Sequence, residues 1–172
     1  MISNHTAFKA SLFFLGILVI FWLKELFFKV KVPTGSMLPN IQPGDHIIVR
    51  RLIKPTGLRR GDLVVFRSTE RQKGHGNLLM IKRLIGLPGE RIQWQDQSLV
   101  VDGKLEPEQY VHHFGGKTRD FKVPEHSYLF LGDNRKASND ARYWQDPYVR
   151  GREITGKALF RIWPLTRIGI LK

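Results

Sequence analysis

The chain has 172 residues, 42% of them hydrophobic and 25% charged, which is long enough for one domain with a sizeable core and too apolar for a disordered polyelectrolyte. It contains no cysteine, which excludes a disulfide framework, a thiol nucleophile and a cysteine zinc site. The net charge of +13 calls for a polyanionic neighbour, either nucleic acid or an anionic lipid surface.

The first element is apolar. No charge interrupts Ala10–Leu23. The run is shorter than the ~20 residues that usually span a bilayer. Lys9 and Lys24 can snorkel from its ends, and Leu26, Phe27 and Phe28 lengthen the apolar path. No A-x-A-like site follows it, which argues against a cleaved leader. A single transmembrane helix is therefore expected, with residues 1–31 as tail and anchor and residues 32–172 as one further domain. An anchor makes anionic membrane lipid, rather than nucleic acid, the expected partner of the basic surface. Lys24, Lys29 and Lys31 favour a cytoplasmic flank by the positive-inside rule, but long domains translocate largely regardless of charge. Charge alone leaves the orientation open.

Past Val32 the texture turns to short aliphatic strands broken by Gly and Pro. Strands are expected at 46–50, 62–67, 78–85, 128–131 and 157–163, with a hairpin from 91–94 to 98–101 and a turn at Asp102-Gly103. Pro43-Gly44-Asp45, Arg60-Gly61-Asp62 and Pro88-Gly89-Glu90 repeat one turn-then-strand punctuation at irregular spacing. The polar stretch from Ser68 to Asn77 reads as a loop. Together these predict a mostly-β fold, a folded-over antiparallel sheet or partial barrel.

Three segments carry candidate chemistry. Ser36 lies in Pro33-Thr34-Gly35-Ser36-Met37-Leu38-Pro39, a constrained loop that could equally hold a plain turn serine. Lys82 interrupts an aliphatic strand, and there it either points to water from a sheet edge or loses its charge by burial and becomes a base. Gly132–Trp144 is a dense polar loop after a strand. Ser138 there can hydrogen-bond a lysine, and Asp140 can pair with Arg142 or Arg135.

These blocks, with Gly44-Asp45 and Arg60-Gly61-Asp62 between them, resemble in content and order the bacterial type I signal peptidases, Ser/Lys endopeptidases that remove signal sequences from exported proteins. The resemblance runs from Val32 to about Gly156. It implies Ser36 as nucleophile and Lys82 as general base. Thr34, with the Ser36 amide, falls at the oxyanion hole. Ser138 would orient the lysine, with Asp140 and Arg142 as the supporting ion pair. Met37, Ile47, Val49 and Ile81 match positions that line pockets for small side chains, which implies cleavage after small residues at −1 and −3 of preprotein signal peptides. It implies no metal or other cofactor, and a single-pass protein of the cytoplasmic membrane with its catalytic domain on the outer, periplasmic face. Lys136 and Ala137 stand where the family usually has an acid and an amide. After Trp144 the usual Gly-x-Val-Pro-like run is replaced by Gln145-Asp146-Pro147-Tyr148-Val149. The accessory β-region after the lysine block is short.

Other chemistries fit less well. A Ser-His-Asp hydrolase lacks a G-x-S-x-G elbow, and His5, His46, His75, His112, His113 and His126 fall in no block resembling a triad base. Adjacent His112 and His113 do not share a strand face, which weighs against a zinc pair. A self-cleaving repressor-type protease would carry a DNA-binding domain in front, where an apolar segment stands. A membrane-tethered module that binds nucleic acid or lipid without catalysis is the alternative from another class.

Overall fold

The computed structural model describes residues 4–68, 78–96 and 98–172, and within the N-terminal helix the side chains at 8, 9, 11–18 and 24–26. The loop expected over 68–77 lies, apart from Ser68, outside these residues. Helix α1 (Asn4–Leu26) comes first, with exposed Phe8, Leu12, Phe13, Phe14, Leu15, Ile17 and Leu18. Among the described residues no helix is long and apolar enough to cross a membrane. The helix also stops sooner than expected. Phe27 and Phe28, read above as an extension of the apolar path, belong to strand β1 (Phe27–Lys31), which pairs antiparallel with β2 (His46–Arg51). Residues 27–31 are thus structurally part of the sheet, because Phe28 and Val30 pack on its core.

The rest is mostly β, a curled antiparallel half-barrel with a small second sheet. Its further strands are β3 (Leu63–Arg67), β4 (Leu79–Gly86), β5 (Arg91–Gln95), β6 (Ser98–Val101), β7 (Lys104–Glu106), β8 (Phe121–Lys122), β9 (Ser127–Leu131), β10 (Tyr148–Arg150), β11 (Ile154–Trp163) and β12 (Gly169–Ile170). The main sheet runs β1-β2-β11-β3-β4-β9-β10, with β12 on β11; the second runs β7-β6-β5-β8. Strand β11 pairs with β3 near its start and with β2 further on, and bulges interrupt both ladders. Bulges bend and twist a strand, which curls the sheet here. The expected hairpin is present, with Ile92 opposite Val101 and Gln95 opposite Ser98. Asp102 and Gly103 both take positive φ, 48° and 80°, as the tight turn into β7 needs.

The repeated punctuation has one physical form. In each copy the glycine adopts a left-handed φ, and the following acid accepts a hydrogen bond from a backbone N–H three residues before it. The bonds are Gln42 N to Asp45 at 2.9 Å, Arg59 N to Asp62 at 2.9 Å and Leu87 N to Glu90 at 2.7 Å. Each turn is closed by its own carboxylate before the next strand begins.

Strand β3 is buried on both faces. Val64 and Phe66 enter one hydrophobic cluster with Leu84, Phe130 and Trp144, whereas Leu63 and Val65 enter a second with Met37, Ile47 and Val49. This two-sided burial decides the setting of the next strand.

Candidate active site

Strand β4 is not an edge. It lies between β3 and β9, so the water-facing alternative for its lysine does not hold. Lys82 stands opposite Val64, and Met80 opposite Phe66. Directly opposed residues of an antiparallel pair share a face, so Lys82 lies on the side of the larger cluster, between Met80 and Leu84 along its own strand. It is 4% exposed. Burial lowers its pKa from 10.5 to about 8, against the fields of Asp140 and Asp133, which raise it; Arg142 assists the lowering. A substantial fraction of the amine is therefore neutral at mildly alkaline pH.

Ser36 reaches the same place from the other side of the fold. Its loop leaves β1, closes turns from Leu38 N to Gly35 O (3.2 Å) and from Ile41 N to Met37 O (2.9 Å), and is pinned by fully buried Met37 and Ile41. The Gly132–Asn134 segment clamps it: Asn134 N donates to Ser36 O at 3.1 Å, and Asn134 Nδ2 donates to Gly35 O at 3.1 Å. Gly132 makes this approach possible, because a Cβ there would collide with the Ser36 carbonyl and with Ser138 Oγ. Register carries the clamp to the lysine. Arg83 stands opposite Leu131, so Lys82 and Gly132 are each one residue beyond the last paired positions of the two strands. Ser36 and Lys82 accordingly line one open cleft of about 760 Å³, together with Thr34, Gly35, Asn134 and Ala137. Thr34 Oγ1 donates to Ser36 Oγ at 3.5 Å, a long contact from an exposed side chain.

The loop behind the cleft is held by charge. Arg142 grips Asp140 through Nε at 2.8 Å and Nη2 at 2.9 Å, and Asp140 accepts from Gly132 N at 3.0 Å. Of the two arginines considered for Asp140, Arg142 is the partner; Arg135 pairs instead with Glu108, at 2.8 and 2.5 Å. Ser138 is buried beside them, and its hydroxyl has no hydrogen-bond partner among the described residues. An unpartnered buried hydroxyl costs stability, so Ser138 Oγ, close to Gly132, adds nothing to the hydrogen bonding that holds the fold. Lys136 and Ala137 are exposed, so the residues at these two unusual positions leave the buried pairs untouched.

The expected pocket residues divide. Ile81 lines the cleft, but Met37, Ile47 and Val49 are 0% exposed and lie within the second core cluster. Strand β2 sits between β1 and β11, and the inward side chains of an interior strand point to core, not to solvent. The apolar walls include Val30, Val32, Leu38, Val65 and Ile81, with Leu78, Leu79 and Met80 further along.

Sequence reading missed the innermost pair. Arg83 and Asp133, 1% and 0% exposed, bond at 2.7 and 2.6 Å, and the Arg83 guanidinium lies 4.1 Å from the ring centroid of Tyr110. Asn40 donates from Nδ2 to Asp133 Oδ2 at 2.8 Å and to the Tyr110 carbonyl at 2.8 Å. It ties the serine loop to the pair beside the lysine. Burial, with Glu108 nearby, raises the Tyr110 phenol well above its ordinary range. The adjacency Lys82-Arg83 was visible in the sequence; Asn40 carried no signal there.

Residues 5–163 match the family described as signal peptidase, peptidase S26. A signal peptidase I of Leptolyngbya laminosa is 38% identical over 151 residues, spanning 81% of this chain and 70% of that protein. A signal peptidase I of Bacillus caldolyticus is 33% identical over 168 residues, spanning 88% of each. The crystal structure of a signal peptidase I from Enterococcus faecalis V583 is 30% identical, covers 58% of this chain and 95% of that one, and superposes with a TM-score of 0.46.

Proposed function

The chain belongs to the signal peptidase family, peptidase S26, and from that premise we propose that it removes signal peptides with Ser36 as nucleophile and Lys82 as base. The observation that carries this reading is the meeting of a clamped serine and a buried lysine, lowered to about 8, on one cleft.

In the proposed reaction neutral Lys82 Nζ accepts the Ser36 Oγ proton as Oγ attacks the scissile carbonyl. The Ser36 N–H and the Thr34 hydroxyl face the developing oxyanion, a type of donor whose loss typically costs ~10²–10³ in rate. The lysine then returns its proton to the leaving amine. Lys82 Nζ, neutral again, takes a proton from water as the water oxygen attacks the acyl-enzyme carbonyl, and it passes that proton to Ser36 Oγ as the ester C–O bond breaks. The Ser138 hydroxyl, unpartnered among the described residues, is assigned to steady the amine during the reaction, and the Asp140–Arg142 pair fixes the loop on which it sits. Cleavage after small residues at −1 and −3 fits walls of branched aliphatic side chains close to the serine. The charge-free run Ala10–Leu23 within α1 is read as a single-pass anchor in the cytoplasmic membrane, with the domain on the outer face and anionic lipid beside the basic surface. A role as a nucleic-acid module is not favoured, because this cleft is built around a hydroxyl and an amine.

The test is incubation of the detergent-purified chain with a preprotein, followed by mapping of the new N-terminus. A single cut after a small residue, abolished by Ser36→Ala and by Lys82→Ala in folded protein, is expected. Unchanged cleavage by either variant refutes the dyad. Resistance of α1-containing protein to alkaline extraction from membranes checks the anchor.

A further inference from the structure

The cleft carries an imbalance of charge that the proposed chemistry does not use. Lys29 and Lys31 line it together with Lys82, and none of the described lining residues is acidic. The two outer lysines project from one face of β1, as alternate residues of a strand do, and both are exposed. Neither makes an ion pair among the described residues; the lysine and arginine pairs that form involve other side chains. Among the described residues strand β1 is also the edge of the main sheet, bonded to β2 alone, so a chain that enters the cleft in extended form can run alongside these two cations.

We propose that Lys29 and Lys31 select substrates carrying a carboxylate in the segment that lies along β1, away from the scissile bond. This rests on the peptidase reading of Ser36 and Lys82. The distance follows from the chain. Lys31 and Lys29 precede Ser36 by five and seven positions, and extended residues advance at most ~3.6 Å each, which puts their Cα atoms no more than roughly 18 and 25 Å from that of the serine. The carboxylate therefore falls within about seven residues of the cut. It does not fall next to the cut, because a negative charge beside Lys82 would favour its protonated form and slow the reaction. Exposed pairs contribute modestly, so two of them give a preference of about three- to tenfold, screened by salt.

The test uses the full chain in neutral detergent micelles and a peptide spanning a cleavage site, with Asp, Asn or Lys placed singly at each position three to seven residues to either side of the cut. The expected result is a block of positions on one side at which Asp raises kcat/KM about three- to tenfold over Asn and Lys lowers it. The preference falls in 0.5 M salt and disappears in Lys29→Gln/Lys31→Gln protein, with Ser36→Ala as the blank. Ser36-dependent cleavage with equal rates for Asp and Asn peptides at every position overturns this inference and leaves the dyad standing. The same holds if the preference persists in the double variant. Should the double variant lose only its binding to vesicles of anionic lipid, the lysines serve the membrane and the inference is wrong. No Ser36-dependent cleavage of any peptide overturns both readings.

Discussion

Replacing Lys82 by methionine keeps much of the side-chain volume and removes the charge, which isolates the effect of burial. The surroundings lower the amine from 10.5 to about 8, and at 1.36 kcal/mol per unit this is about 3 kcal/mol of preference for the neutral form in the folded state. The sign follows from proton counts. Between about pH 8 and 10.5 the unfolded chain still holds the proton that the folded chain has released, so stability of the unsubstituted protein rises with pH across that window. Below about 8 the full penalty of a buried ammonium is present. The methionine variant carries no such penalty. It is expected to be more stable by up to about 3 kcal/mol at pH 7, with the gap closing as pH approaches 10.5. Urea unfolding of both proteins in one non-ionic detergent, at intervals from pH 7 to 10.5, measures the difference while the other titrating groups cancel. A stability difference that stays constant over this range would mean the amine is hydrated in the folded protein, and the argument for a neutral base would fail.

Catalysis should follow the same titration: kcat/KM rises about tenfold per pH unit up to about pH 8 and then levels, as measured on a neutral peptide. Ser138→Ala removes a buried hydroxyl that has no partner among the described residues, so thermal unfolding is expected to be unchanged or slightly later. Its kcat should nevertheless fall by roughly tenfold or more, the effect of losing the hydrogen bond to Lys82 that the proposed mechanism assigns to this hydroxyl during the reaction. Asp133→Ala strands the buried guanidinium of Arg83 and should cost about 3–5 kcal/mol in denaturant unfolding. Arg83→Met/Asp133→Leu should recover most of that loss, because the pair then leaves no charge unmatched.

The sequence disclosed those parts of the molecule in which a local rule and the tertiary outcome agree. The β5–β6 hairpin and the Asp102-Gly103 turn are of this kind, because alternation and a demand for positive φ act within a few residues. So are the three glycine–acid turns, each closed by its own side chain. Strand β1 was hidden because Phe27 and Phe28 continue an apolar run, and only pairing with β2 shows them to be sheet. The surroundings of Ile47 and Val49 were hidden for a related reason: they have the right character for a pocket, and pairing of β2 with β1 and β11 is what encloses them in the second core cluster. Lys82 could not be settled from its own strand. Whether it meets water depends on β9 covering β4, and that contact joins residues far apart in the chain.

The charge inventory of the site distinguishes the proposed base, Lys82, from the other buried cations. Lys82, Arg83, Arg135 and Arg142 are all at most 5% exposed. The three arginines each hold a carboxylate in a two-bond grip, Asp133, Glu108 and Asp140 respectively. Those pairings consume the carboxylates nearest the lysine. Asp133 and Asp140 still raise its pKa through their fields, but Arg142 works in the opposite direction and desolvation exceeds them all. A guanidinium keeps its proton under such conditions and must be matched, whereas an ammonium left unmatched can shed its proton instead. The arginine pairs thus do two things at once: they fix the loops around Ser36, Gly132 and Ser138, and they leave Lys82 without a paired carboxylate among the described residues. Removal of a guanidinium rather than a carboxylate should then act on the base directly. In Arg142→Met the freed Asp140 would lie close to the amine, favour the ammonium, and move the acid limb of the rate profile to higher pH.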